Sequence, residues 1–94
     1  MREQTLQKKI IDWLNKQPDI WAVKVMCANR NGTPDIIASV GGRFVGIEVK
    51  APGKLGSVSP LQRYQIDSIE LTGAVAFPAD SLDTVKDAVG LLLD

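Results

Sequence analysis

The sequence predicts an α/β layered domain in the order α-β-β-β-α-β-α, a central mixed sheet flanked by helices. Three observations lead there. Two runs rich in β-branched and apolar residues, Ile36 to Val40 and Arg43 to Val49, flank a Gly41-Gly42 pair, which signals a tight antiparallel hairpin. Apolar residues recur at helical spacing in three other stretches, near the start, after the middle and at the end. A short apolar run, Ala74 to Phe77, lies alone between the last two of these.

Taken in order, Thr5 to Lys16 places Leu6, Ile10, Trp13 and Leu14 on one helical stripe, and the helix ends before Pro18. Glu3, Gln7 and Lys8 belong to its polar face, and Glu3 and Gln7, four apart, project together if the helix starts by Glu3. Trp21, Val23 and Val25 alternate with Ala22, Lys24 and Met26, a strand pattern buried on both sides. Cys27 to Pro34 is a polar loop whose Asn and Gly residues favour turns. Pro34 fixes its own φ at a strand entrance and so holds Asp35 there. Gly46 inside the third strand leaves room for a close approach by backbone or substrate.

Ala51 to Val58, with Pro52, Gly53 and Gly56, reads as a loop directly beyond Lys50. Ser59-Pro60-Leu61-Gln62 is a complete helix start, with Ser at N-cap, Pro at N1 and Gln at N3. That helix runs through Tyr64, Ile66, Ile69 and Leu71 to Gly73, a natural residue just past a helix end. Pro78 ends the following strand, and Ser81 caps a last helix carrying Leu82, Val85, Val89 and Leu92 on one side. There is no repeat, linker or low-complexity stretch, so residues 1–94 are expected to form one domain.

The hairpin register carries the chemistry. With a two-residue loop Val40 faces Arg43, and counting outward sets Asp35 opposite Glu48, with Lys50 on the same face as Glu48. Directly opposed residues have Cβ atoms about 4.5–5.5 Å apart, a spacing at which two carboxylates share one cation. Two charges roughly 4 Å apart repel by about 4 kcal/mol at an effective dielectric of about 20, so something should neutralise them. A hard divalent cation such as Mg²⁺, which takes one or two carboxylates and keeps several waters, has that capacity. A surface hairpin in which Lys50 offsets its acids is the plainer alternative, and a three-residue loop would put the two acids on opposite faces.

Composition narrows the classes. With 45% apolar and 23% charged residues the chain has an ordinary globular make-up. It contains no histidine, which removes Ser-His-Asp hydrolases and His-ligated metals, and its lone Cys27 allows neither an intrachain disulfide nor a Cys-rich zinc site. No apolar run approaches the ~18 residues of a membrane span and the start, Met1-Arg2-Glu3-Gln4, lacks a secretory pattern, so a cytoplasmic protein is expected. Net charge is zero, but the charges are unevenly spread. All Lys and Arg except Lys86 precede residue 66, whereas Asp67, Glu70, Asp80, Asp83, Asp87 and Asp94 follow it. The first two thirds could therefore present a positive, phosphate-facing surface, with Arg30, Lys54 and Arg63 as the candidate DNA contacts.

Pro34-Asp35, twelve residues, then Glu48-Val49-Lys50 resembles the PD-(D/E)XK nuclease signature. Gly32-x-Pro34-Asp35, Glu48-Val49-Lys50 and Ser59-x-x-Gln62 together are similar, more narrowly, to the VRR-Nuc family in its small stand-alone form, over nearly the whole chain from Glu3 to about Val89. The resemblance implies a metal-dependent DNA endonuclease using Mg²⁺ or Mn²⁺. It implies that Asp35, Glu48, the Val49 carbonyl and Glu3 ligate the metal, that Lys50 acts on the attacking water, and that Gln62 lies beside the lysine. It further implies a homodimer acting on branched DNA such as a Holliday junction, with Trp13 or Trp21 available for an interface. Glu3 at a helix start and Gln62 in a capping box also have sufficient structural roles of their own. The competing functions are a flap or linear-DNA endonuclease of the same fold, and a DNA-binding or interaction module that has lost its activity.

Overall fold

Gly41 and Gly42 have φ of 57° and 84°, the pair of positive values that a two-residue hairpin turn of the inverse type requires, and Val40 faces Arg43 across it. This turn sets the sheet. The computed structural model describes residues 1–94 as α1 (Glu3–Asn15), β1 (Ile20–Lys24), β2 (Ile36–Val40), β3 (Arg43–Val49), α2 (Pro60–Leu71), β4 (Val75–Ala79) and α3 (Leu82–Leu93). The sheet order is β1-β2-β3-β4, with β1 and β3 antiparallel to β2, and β4 parallel to β3. The predicted α-β-β-β-α-β-α order and mixed sheet are both present.

Alternation along β2 and β3 divides the sheet into two faces. Ile36, Ala38 and Val40 of β2 join Val45, Ile47 and Val49 of β3 in a cluster with Leu6, Ile10 and Leu14 of α1 and Val85 and Val89 of α3. Several of these side chains are completely buried, and burying a Val, Leu or Ile stabilises by roughly 1.5–3 kcal/mol. The α2 helix covers the opposite face over β3 and β4, with Ile66 buried beneath it. Asn15 fastens α1 to β1, because its side-chain amide donates to the Ala22 carbonyl and accepts from the Ala22 N–H at 2.9 and 2.8 Å.

Four details depart from the sequence reading. The first helix begins at Glu3 rather than Thr5, so Glu3 and Gln7 do share a helix, but Gln7 lies on the buried side with Leu6 and Ile10 instead of the polar face. β1 stops at Lys24, because the loop to β2 peels away there, although the Val25 N–H still donates to the Asp35 carbonyl. β4 continues through Pro78 to Ala79. A strand at the sheet edge has one side without partners, so a proline lacking its N–H is tolerated there. Within the loop after Lys50, Leu55–Ser57 forms a single 3₁₀ turn rather than open coil.

Candidate active site

β3 outlasts β2 at one end, since the ladder ends at Ile36 opposite Ile47 while β3 runs on to Val49. The backbone N–H of Val49 is thereby left over, and Asp35, at the bend entering β2, takes it with its carboxylate Oδ2 at 2.8 Å. Asp35 thus closes the sheet end with a side chain in place of a carbonyl. The same register, carried one residue past Ile36, sets Asp35 against Glu48, near enough for the one carboxyl to act on the other.

Glu48 is only 3% exposed. Burial, then the hydrogen bond and charge of Asp35, push its carboxyl from the usual 4.5 up to about 8, with Glu3 adding a smaller repulsion. Lys50 acts in the opposite direction from 4.0 Å but does not cancel these effects. The lysine itself is largely enclosed, its side chain 12% exposed. The alternative of a solvated hairpin whose acids are offset by their lysine does not describe these enclosed side chains.

Gln62 serves two functions at once. Its Oε1 accepts from the Ser59 N–H at 2.9 Å while Ser59 Oγ accepts from the Gln62 N–H, the reciprocal capping box read from the sequence. Its Nε2 donates to Glu48 Oε2 at 3.3 Å. The cap leaves the amide's donor end free to face the carboxylate. Gly32 lets the preceding loop lie against this helix start: a Cβ there would sit 2.8 Å from the Leu61 carbonyl carbon and oxygen.

Asp35, Glu48, Lys50 and Gln62 are therefore brought together, with Val49 joined to Asp35 through its N–H. Glu3, half-buried at the start of α1, is close enough to act on Glu48, but no three acidic, histidine or cysteine side chains converge. Gly46 does not open a space for substrate, because Pro34 and Ile69 occupy it: a Cβ would lie 3.1 Å from Pro34 Cγ and 3.4 Å from Ile69 Cδ1. Beyond Pro34 lies a cleft of about 380 Å³ walled by Thr33, Ile37, Phe44 and Ile69, with Arg30 on its lining.

Arg30, Lys54 and Arg63 are all exposed, and none forms an ion pair, the two salt bridges being Lys8–Asp12 and Lys50–Glu48. The loop bearing Lys54 is tied down, with the Gly53 N–H donating to Asp80 Oδ2 at 3.0 Å. Trp13 packs on the core beneath Lys86, whose ammonium lies 5.6 Å from the ring centroid, whereas Trp21 is 63% exposed. No helix is long and apolar enough to cross a membrane. Sequence reasoning missed Gln7, whose buried Oε1 has no hydrogen-bond partner. Its position between Leu6 and Ile10 on the buried stripe was the available signal.

No protein-family model matches the sequence, and no curated protein does. Solved structures do. One described as a VRR_NUC domain protein superposes with a TM-score of 0.75 at 21% identity, over 96% of this chain and 86% of that one. A second, described as a VRR_NUC domain, gives 0.78 at 21% identity, over 94% of each chain. The chain has the fold of these VRR_NUC domains from end to end.

Proposed function

We propose that residues 1–94 form a single VRR-Nuc-type nuclease domain that hydrolyses DNA phosphodiester bonds with a divalent cation, Mg²⁺ or Mn²⁺. The observation that carries this reading is the pairing of half-buried Asp35 with buried Glu48, whose mutual unfavourable interaction Lys50 does not cancel, at the end of the hairpin in a fold shared with VRR_NUC domains. A hard cation held by both carboxylates would displace the proton that Glu48 otherwise keeps and would relieve their repulsion. Asp35 and Glu48 would hold it, with the Val49 carbonyl and Glu3 as further oxygen donors. When bound, the cation supplies Lewis-acid polarisation of the scissile phosphate and a lowered pKa for water.

The chain's own residues do the rest. The Lys50 ammonium, largely enclosed beside Glu48, steadies negative charge developing on the phosphate and orients the attacking water. Gln62 Nε2 fixes the Glu48 carboxylate in place. Arg30, Lys54 and Arg63, unpaired and exposed, meet backbone phosphates and set the register of the strand. A homodimer would present two such sites to a branched substrate, and a symmetric pair suits a four-way junction. The exposed Trp21 ring, with Val23 on the same face of β1, is the apolar surface available to that interface.

A nicking assay with and without Mg²⁺ or Mn²⁺ on linear duplex, flap and four-way junction tests the reading. Cation-dependent cleavage is expected, strongest on the junction and abolished by Lys50→Ala with cation affinity retained. Binding without cleavage of any substrate would mark an interaction module instead.

A further inference from the structure

Gln7 sits where the fold asks for an apolar residue. It is 5% exposed, on the stripe of α1 that carries Leu6, Ile10 and Leu14 into the core, and its Oε1 has no donor. Leaving a buried acceptor unpaired costs about 1–3 kcal/mol, which a methionine or leucine at the same place would avoid. An orphaned atom of this kind calls for a partner such as a water or an ion's hydration shell, or for a functional role.

Gln7 follows Glu3 by one helical turn, and the general lean of helical side chains towards the N-terminus directs its amide to the turn that opens with Glu3. That turn bears Glu3, the one charged residue of α1 that acts on Glu48. Ionised carboxylates have no hydrogen to offer an acceptor. The waters that Mg²⁺ retains do, and the ion makes them strong donors. We propose that Gln7 is a positioning residue of the cation site, its Oε1 accepting a hydrogen bond from a water in the cation's hydration shell. The inference rests on the reading that Asp35 and Glu48 hold that cation.

Outer-shell partners of this type typically change metal affinity by 10–100-fold. The test is Mn²⁺ binding followed by electron paramagnetic resonance, together with thermal melts in EDTA and in Mg²⁺, for wild type, Asp35→Asn, Gln7→Met and Gln7→Glu. Gln7→Met removes the acceptor at similar length. It should melt at or above wild type in EDTA and bind Mn²⁺ about 10–100-fold more weakly. Gln7→Glu keeps an acceptor oxygen and should bind at least as tightly as wild type, even where its cation-free melting point is lower. A Gln7→Met variant that loses cation-free stability yet binds Mn²⁺ like wild type would overturn the proposal, leaving the amide a partner of an ordinary internal water. Should the methionine variant not fold, weakened Mn²⁺ binding by Gln7→Glu overturns it equally. If wild type and Asp35→Asn both ignore the cation, the failure lies with the two-carboxylate reading itself.

Discussion

At Glu48 burial and the neighbouring Asp35 act in the same direction, so the folded protein holds a proton there that the unfolded chain would release. The folded carboxyl titrates near pH 8 and the free one near 4.5. Its contribution to stability is therefore full below about pH 4.5 and is lost as pH rises through about 8, the reverse of an ordinary salt-bridged acid. A cation competes with that proton, so its apparent affinity should climb about tenfold per pH unit below pH 8 and then level off. Asp35→Asn removes the repulsion and keeps an oxygen able to accept from the Val49 N–H. At pH 8 its cation-free melting point should equal or exceed that of wild type, while its response to Mg²⁺ largely disappears. In wild type that response should reach about 2.7 kcal/mol at roughly a hundred times the dissociation constant. Melts of both proteins across pH, with EDTA or Mg²⁺, check all of this, and a less stable variant that still responds fully would make Asp35 a structural residue.

The start of α2 shows where sequence is informative and where it is not. Its capping box was legible from Ser59 to Gln62, because a cap involves neighbours along the chain. The register of Asp35 and Glu48 was legible for a similar reason, fixed by two glycines between them. That Gln62 also reaches Glu48 depends on how α2 is laid across the sheet, which no local pattern specifies. The burial of Gln7 and the passage of β4 through Pro78 likewise depend on which element lies next to which. Gly32 is the joint that settles the α2 placement, and it gives a test. Gly32→Ala and Gly53→Ala both force alanine into φ near +80°, from native values of 82° and 81°, at about 1–3 kcal/mol each. A Cβ at Gly53 meets nothing within 4 Å, whereas one at Gly32 meets the Leu61 backbone. Both variants should lose melting temperature, but only Gly32→Ala should also lose cleavage measured well below its melting point. Equal cleavage by the two would show that the loop contact does not position Gln62.

Across the whole molecule the two carboxylates and the rest of the fold belong to different ranges of chain separation. β2, its turn and β3 occupy residues 36–49, whereas β4 joins β3 in parallel only after the chain has crossed over through α2. A hairpin closes in roughly 1–10 μs, and pairings that are distant in sequence come later. The acids that repel one another should thus be assembled before the helices that bury them, an encounter that is uphill until something neutralises it. Mg²⁺ should then act on the order of events as well as on the final balance. We expect saturating Mg²⁺ to raise the refolding rate and leave the unfolding rate nearly unchanged, as for a contact already made in the transition state. Stopped-flow refolding and unfolding across denaturant, in Mg²⁺ and in EDTA, separate the two limbs, and stabilisation confined to slower unfolding would place hairpin closure after the barrier. The Gly41-Gly42 turn that sets the site's geometry would in that case also set its timing: the cation would act as a nucleating agent for the chain.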